Sequence, residues 1–247
     1  MCGILTCCVD VNNNFSLEKF RANLHASNFR GPDFSDVREI NSHNNRILFG
    51  HNRLSIIDIS ETGNQPMTSS SGRLTISFNG EIYNHLELRK LYLPHHHFRG
   101  TSDTETLLEL VESMGLDTAI ELIQGMYAFV IYDQQLHEIS ISRDIPGEKP
   151  LYIMTSKESI SFSSDISNFI NLPGFSSDIN YDAIKYLLSY TYIPSPLSIF
   201  SGIFKMPSAK ILKVKLNNFK FKKFDTYKSL ISDVAVTEDE YFSIYDL

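Results

Sequence analysis

Residues Cys2 to Val11 run Cys-Gly-Ile-Leu-Thr-Cys-Cys-Val-Asp-Val. A stretch this short and this apolar reads as a β-strand buried on both faces, and a strand with no wet face belongs inside a layered fold. The polar Asn12 to Asn14 run ends it. Further apolar segments follow at Arg46 to Ile59 and Leu74 to Phe78, then at Met126 to Asp133 and Ile139 to Arg143, a pair spaced as a hairpin turning through Asp133 to Leu136. Strands are also predicted at Leu151 to Thr155 and Ile160 to Ser163. Helical periodicity falls between them, at Leu17 to Ser27, Leu86 to Leu91 and Thr104 to Met114, where Ser102 and Glu105 have capping-box spacing. Groups of strands with helices interposed predict two sheets packed face to face under outer helices, an α+β sandwich of four layers.

From Ser176 onward the texture changes. Asp182 to Tyr190 is helical in period, Ile193 to Pro196 breaks it, and Ile211 to Phe224 alternates Lys with apolar residues. That alternation reads as a solvated or edge strand rather than a nucleic-acid patch. The segment Ser229 to Leu247 holds acidic residues and no basic one, and reads as a linker or frayed tail. The predicted organisation is a domain over residues 2–215 and a C-terminal strand and linker over 216–247.

The chain of 247 residues is long enough for one substantial core. Its formal charge of −7 gives no electrostatic reason to expect nucleic acid, and an uncharged small substrate suits it better. Three cysteines, two of them adjacent at Cys7 and Cys8, make a poor disulfide framework and point to a reducing, cytoplasmic setting. Cys7 and Cys8 read as core and solvent-side positions of the first strand. The N-terminal run lacks a basic flank and is cut at Asp10, so neither a signal peptide nor a membrane partner is expected. His95-His96-His97 reads as an exposed loop, because adjacent imidazoles without Cys or carboxylate partners do not close a tetrahedral metal site. No metal ligand set is assigned.

Chemistry enters at the N-terminus. Removal of Met1 would leave Cys2 with a thiol and a free α-amine, and since such an amine has a pKa of about 7.7–8.0 it can take the thiol proton near neutral pH. The plain alternative is a small apolar residue opening a strand. Asn79-Gly80 at the end of a predicted strand offers an amide and a backbone N–H of the kind an oxyanion needs, against the commoner use of Asn-Gly as a hairpin turn. Arg53 sits among apolar neighbours that force its guanidinium to find a partner or a carboxylate ligand. Asp103 opens a helix, where it serves as a dipole partner or receives a substrate ammonium. A cation and an anion together describe a pocket for an amino acid.

An ordered set of short motifs then goes beyond any one of them. Met1-Cys2-Gly3-Ile4, Arg30-Gly31-Pro32-Asp33, the run from His51 to Asp58 and Gln65-Pro66-Met67 are followed by Asn79 to His85, Thr101 to Glu105, Gly125 to Phe129 and Gly147 to Tyr152. In this order they resemble the glutaminase domain of the class II glutamine amidotransferases, and look most like the asparagine synthetase B branch. The resemblance covers roughly the first 215 residues. It implies an N-terminal-nucleophile hydrolase, an αββα sandwich of two mainly antiparallel sheets, that cleaves L-glutamine to glutamate and ammonia through a thioester. Carried over by position, it implies Cys2 as nucleophile with its own amine as base. Arg53 would hold the substrate carboxylate, and Leu54, Ser55, Ile56 and Ile57 the adjoining wall. Asn79 and Gly80 would form the oxyanion hole, and Glu81 and Asp103 would bind the amino end. Gly31 and Pro32 would support the nucleophile from a loop.

The resemblance implies no cofactor for glutamine hydrolysis. In this family ATP and magnesium belong to a second domain with an S-G-G-x-D-S loop, and here the Ser-Gly steps Ser71-Gly72 and Ser201-Gly202 lack its second Gly and spaced Asp. The expectation is a glutaminase feeding a separate ATP-dependent synthetase chain, with association into a homodimer left open. Departures at Asp144-Ile145-Pro146-Gly147 and Asp165-Ile166-Ser167 bear on domain docking and ammonia transfer more than on hydrolysis. Two other readings stand beside it: a non-catalytic binding module that kept the fold, and the glutaminase half of another class II enzyme.

Overall fold

The computed structural model describes residues 1–157 and 159–216 in full, together with the backbone of Thr226–Ser229. In chain order the strands are β1 (Gly3–Asp10), β2 (Phe34–Ser42), β3 (Asn45–Arg53), β4 (Met67–Thr68), β5 (Leu74–Ile82) and β6 (Gly125–Asp133). They continue with β7 (Glu138–Arg143), β8 (Tyr152–Thr155), β9 (Ser159–Ser163), β10 (Ile203–Lys205), β11 (Lys210–Lys215) and β12 (Thr226–Ser229). The helices are α1 (Leu17–His25), α2 (His85–Tyr92), α3 (Asp103–Met114), α4 (Leu116–Leu122) and α5 (Tyr181–Tyr190). Two antiparallel sheets result, ordered β10-β8-β9-β1-β3-β2 and β12-β11-β7-β6-β5-β4.

Side-chain alternation explains the stacking. Along β1, Ile4 and Cys8 enter the core between the sheets with Phe49, Ala128, Val130 and Phe162, while Leu5, Cys7 and Val9 pack outward with Phe20 and Leu24 of α1. Along β5, Ile76, Phe78 and Ile82 face outward onto Leu107, Leu108 and Leu110 of α3. Three apolar clusters therefore separate four layers: α1, sheet, sheet, and α2 to α4. The expected αββα sandwich is the observed one.

Some expectations need correction. Cys8 is not a solvent-side position: both Cys7 and Cys8 are fully buried, because each face of β1 has its own core. β2, absent from the sequence reading, is an edge strand whose apolar residues Phe34, Val37 and Ile40 do not alternate, so its pairing with β3 is set by backbone register. The Lys-rich strand is not at an edge, since β11 lies between β7 and β12. Its continuation after residue 216 and the tail from residue 230 onward lie outside the described residues. α4 also escaped notice, being only seven residues long. Within the triple histidine, His96 turns inward against Phe98 and lies 3.8 Å from the Glu109 carboxylate, whereas His95 and His97 are exposed.

Candidate active site

The two sheets bring β1, β3 and β5 together at one end of the sandwich. Cys2, at the mouth of β1, Arg53, the last residue of β3, Asn79 and Gly80 near the end of β5, and Asp103, the first residue of α3, all line one narrow cavity of about 80 Å³. Leu54, Ile56, Ile57 and Glu81 contribute to the same wall. Ser55 does not: its backbone N–H turns away to the Asp33 carboxylate at 2.7 Å. The Asn79-Gly80 pair is part of β5 and faces Ala128 and Tyr127 of β6. The expected strand therefore extends to Ile82, and the hairpin reading of Asn-Gly is excluded.

Cys2 is held through its sulfur by Leu54, whose N–H donates to Sγ at 3.4 Å and whose C=O accepts from it at 3.7 Å. Its own carbonyl accepts from Arg30 Nε at 3.2 Å, so the loop preceding Gly31 steadies the start of β1. Burial pushes the thiol pKa up, opposed by the Leu54 N–H, the N-terminal ammonium and Arg53. A thiol of this kind needs a base close by. With Met1 in place the Cys2 nitrogen is a peptide amide, and Met1 is 53% exposed.

Arg53 is almost fully buried, and the loop after β3 wraps it. Nη1 donates to the Ser60 carbonyl and to Asn64 Oδ1, both at 2.7 Å, and Nη2 donates to the Asp58 carbonyl. A guanidinium has five N–H donors, so Nε–H and one Nη2–H remain without a protein acceptor among the described residues. Its positive charge also has no carboxylate within ion-pair distance among them. Gly63 is the residue that makes room, since a Cβ there would overlap the guanidinium.

Asn79 is buried, and its Nδ2 makes no hydrogen bond. An unpaired buried donor is costly unless something else fills its place. Gly80 is required for a different reason from close approach to a ligand: a Cβ would run into the Met126 carbonyl and Tyr127 Cα of β6. Asp103 accepts from Ile82 N–H at 2.9 Å and from Thr104 N–H at 2.8 Å, joining the end of β5 to the start of α3. Burial, reinforced by Glu81, outweighs those hydrogen bonds and raises its pKa to about 6.

The sequence reading missed several residues that line the cavity. Asp58, Gln65, Thr104, Met126 and Lys149 are among them. All five stand in motifs already singled out, and only the fold shows that they turn toward the site.

The sequence model of a family described as glutamine amidotransferase domain matches residues 1–225. The chain belongs to that family. Asparagine synthetase [glutamine-hydrolyzing] 1 of Bacillus subtilis is 31% identical to it over 213 residues, covering 85% of this chain and 32% of that protein. Asparagine synthetase [glutamine-hydrolyzing] 3 of the same organism is 33% identical over 218 residues, covering 86% and 34%. This class II amidotransferase domain of the asparagine synthetase type thus spans about a third of the length of these relatives. Among solved structures, the glutamine phosphoribosylpyrophosphate amidotransferase of B. subtilis complexed with ADP and GMP matches with a TM-score of 0.65. The match covers 94% of this chain and 50% of that one at 16% identity, a likeness of fold alone. No helix among the described residues is long and apolar enough to cross a membrane.

Proposed function

We propose that this domain hydrolyses the side-chain amide of L-glutamine to glutamate and ammonia, with Cys2, freed by loss of Met1, as nucleophile. The observation that carries the reading is the convergence of Cys2, Arg53, Asn79 and Asp103, from four separate elements, on one cavity. The two free N–H donors of Arg53 suit a carboxylate taken in two-point fashion. The Asp103 carboxylate, with Glu81 beside it, suits the α-ammonium. Binding both ends of the amino acid leaves its amide directed at the sulfur.

The Cys2 amine takes the thiol proton, and Sγ attacks the amide carbon. The oxygen that becomes negative is met by Asn79 Nδ2 and the Gly80 N–H, donors placed where charge develops. The tetrahedral intermediate collapses as the Cys2 ammonium returns its proton to the leaving nitrogen, releasing ammonia and a γ-glutamyl thioester. Water then gives a proton to the same amine and attacks the thioester carbonyl. Collapse of this second intermediate expels the thiolate, which recovers the proton, and glutamate departs. No cofactor takes part in these steps. The names and greater length of the B. subtilis relatives favour an asparagine synthetase as the consumer of the ammonia, carried on a separate chain or on further sequence.

Glutamate release, followed by an enzyme-coupled assay, tests the reading. The processed chain is expected to turn over glutamine, and Cys2→Ala to abolish release while leaving glutamine binding intact. Undiminished release from the alanine variant would overturn it.

A further inference from the structure

His51 lies two residues before Arg53 in β3, fully buried between the sheets, and reaches across to the opposite sheet. Its Nε2 is 2.9 Å from the Phe78 carbonyl. That oxygen can only accept, so Nε2 carries the hydrogen and Nδ1 is left without a partner. Burial lowers the His51 pKa to about 4, which keeps the ring neutral and this tautomer in place at neutral pH.

The bond matters because of the peptide it holds. The Phe78 carbonyl belongs to the peptide group whose nitrogen is that of Asn79, the residue with the unpaired amide donor. On the other side of Phe78, its N–H donates to Gln65 Oε1 at 2.6 Å, while Gln65 Nε2 donates to Thr104 Oγ1 at 3.2 Å, next to Asp103. The backbone leading into Asn79 is thereby fixed by two buried side chains from outside β5. An amide donor serves an oxyanion only if its direction is set before the charge appears.

We infer that His51 is a positioning residue that fixes the Phe78–Asn79 peptide, with Gln65 as its counterpart, and so aims the Asn79 and Gly80 donors at the reacting carbonyl. The inference rests on the oxyanion role given to Asn79 and Gly80 above. It assigns His51 no proton transfer and no contact with glutamine, as His51 does not line the cavity.

The test is steady-state glutaminase kinetics on the processed chain carrying His51→Leu, His51→Gln, Gln65→Leu, Asn79→Ala and the His51→Leu/Asn79→Ala pair, with thermal melts as a folding control. Removing one oxyanion donor costs roughly 100- to 1000-fold in kcat, and Asn79→Ala is expected in that range. His51→Leu and Gln65→Leu should each lower kcat about tenfold or more with KM little changed, the signature of an interaction needed only in the transition state. His51→Gln, whose amide can reach the same carbonyl, should recover most of the loss. The double variant should fall less than about threefold below Asn79→Ala alone, because residues acting through one another are non-additive. If His51→Leu does not fold, the comparison of Gln65→Leu with wild type carries the same decision. A large kcat loss in Asn79→Ala beside full kcat in folded His51→Leu or Gln65→Leu would overturn the inference alone. Full kcat in Asn79→Ala would instead overturn the oxyanion reading beneath it.

Discussion

Arg53 shows how one residue can be structural and functional at once. Three of its N–H groups hold the loop from Asp58 to Asn64, and the remaining two are what a carboxylate ligand can use. Lysine cannot reproduce this division, so Arg53→Lys should raise the glutamine KM by about 10- to 100-fold, the worth of a charge-assisted hydrogen bond at roughly 1.5–3 kcal/mol. Gly63→Ala should raise KM in the same sense, because a Cβ at this cavity-lining position would displace the guanidinium. Initial-rate kinetics distinguishes the two variants from wild type, and an unchanged KM in Gly63→Ala would contradict this account of the pocket. Asp103 sets a pH dependence. Its raised pKa of about 6 means that the empty site takes up a proton below that value, whereas a bound ammonium favours the ionised carboxylate. Glutamine affinity should therefore be flat above about pH 6 and fall roughly tenfold per pH unit below it. Titration calorimetry on Cys2→Ala reads this without turnover, and Asp103→Asn should bind weakly with no such bend. Arg53 stood out as a candidate because its apolar neighbours leave a guanidinium in need of a partner, and Cys2 by its place next to Met1, whereas Asn79 and Asp103 also read as a turn and a helix start and gained candidate roles only through the ordered motifs. His51 and Gln65 were not legible, because a buried His or Gln reveals its purpose only through its partner, here a carbonyl and an N–H of β5.

At the scale of elements, α3 couples stability to the site. Ser102 caps it by accepting from Thr104 N–H at 3.2 Å, as its residue type predicts, but the capping box does not close. Glu105 reaches past the cap to the N–H groups of Arg99 and Gly100 and to the Arg99 side chain. Ser102→Ala should cost about 1 kcal/mol, or roughly 2–4 °C in Tm for a chain of this size, measured by calorimetry. An unchanged Tm would show that Glu105 and Asp103 hold the helix start without the cap. Buried strands and amphipathic helices were legible from period alone, since β1, β6, α1 and α3 each present a continuous apolar face to a core. The end of β5 was not. Asn79-Gly80-Glu81 has the composition of a turn, and pairing with Met126 to Ala128 of β6 overrides that local preference. β2 was hidden for a related reason, because an edge strand exposed on most positions has no pattern to display.

For the whole molecule, the layered fold follows from a strand that needs a core on both sides, and the site follows from where the layers place their strand ends. β1, β3 and β5 supply Cys2, Arg53 and Asn79 from two sheets, so no single element could have disclosed the cavity. What consumes the ammonia belongs to a scale beyond this domain, which spans about a third of its B. subtilis relatives. The central claim is that trimming the chain exposes an amine beside a reactive sulfur, and intact-protein mass spectrometry after treatment with a diazoketone analogue of glutamine tests it most directly. The account predicts a chain lacking Met1 with one adduct, mapped to Cys2 and prevented by excess glutamine. A chain that hydrolyses glutamine while retaining Met1, or one labelled at Cys7 or Cys8 instead, would contradict it.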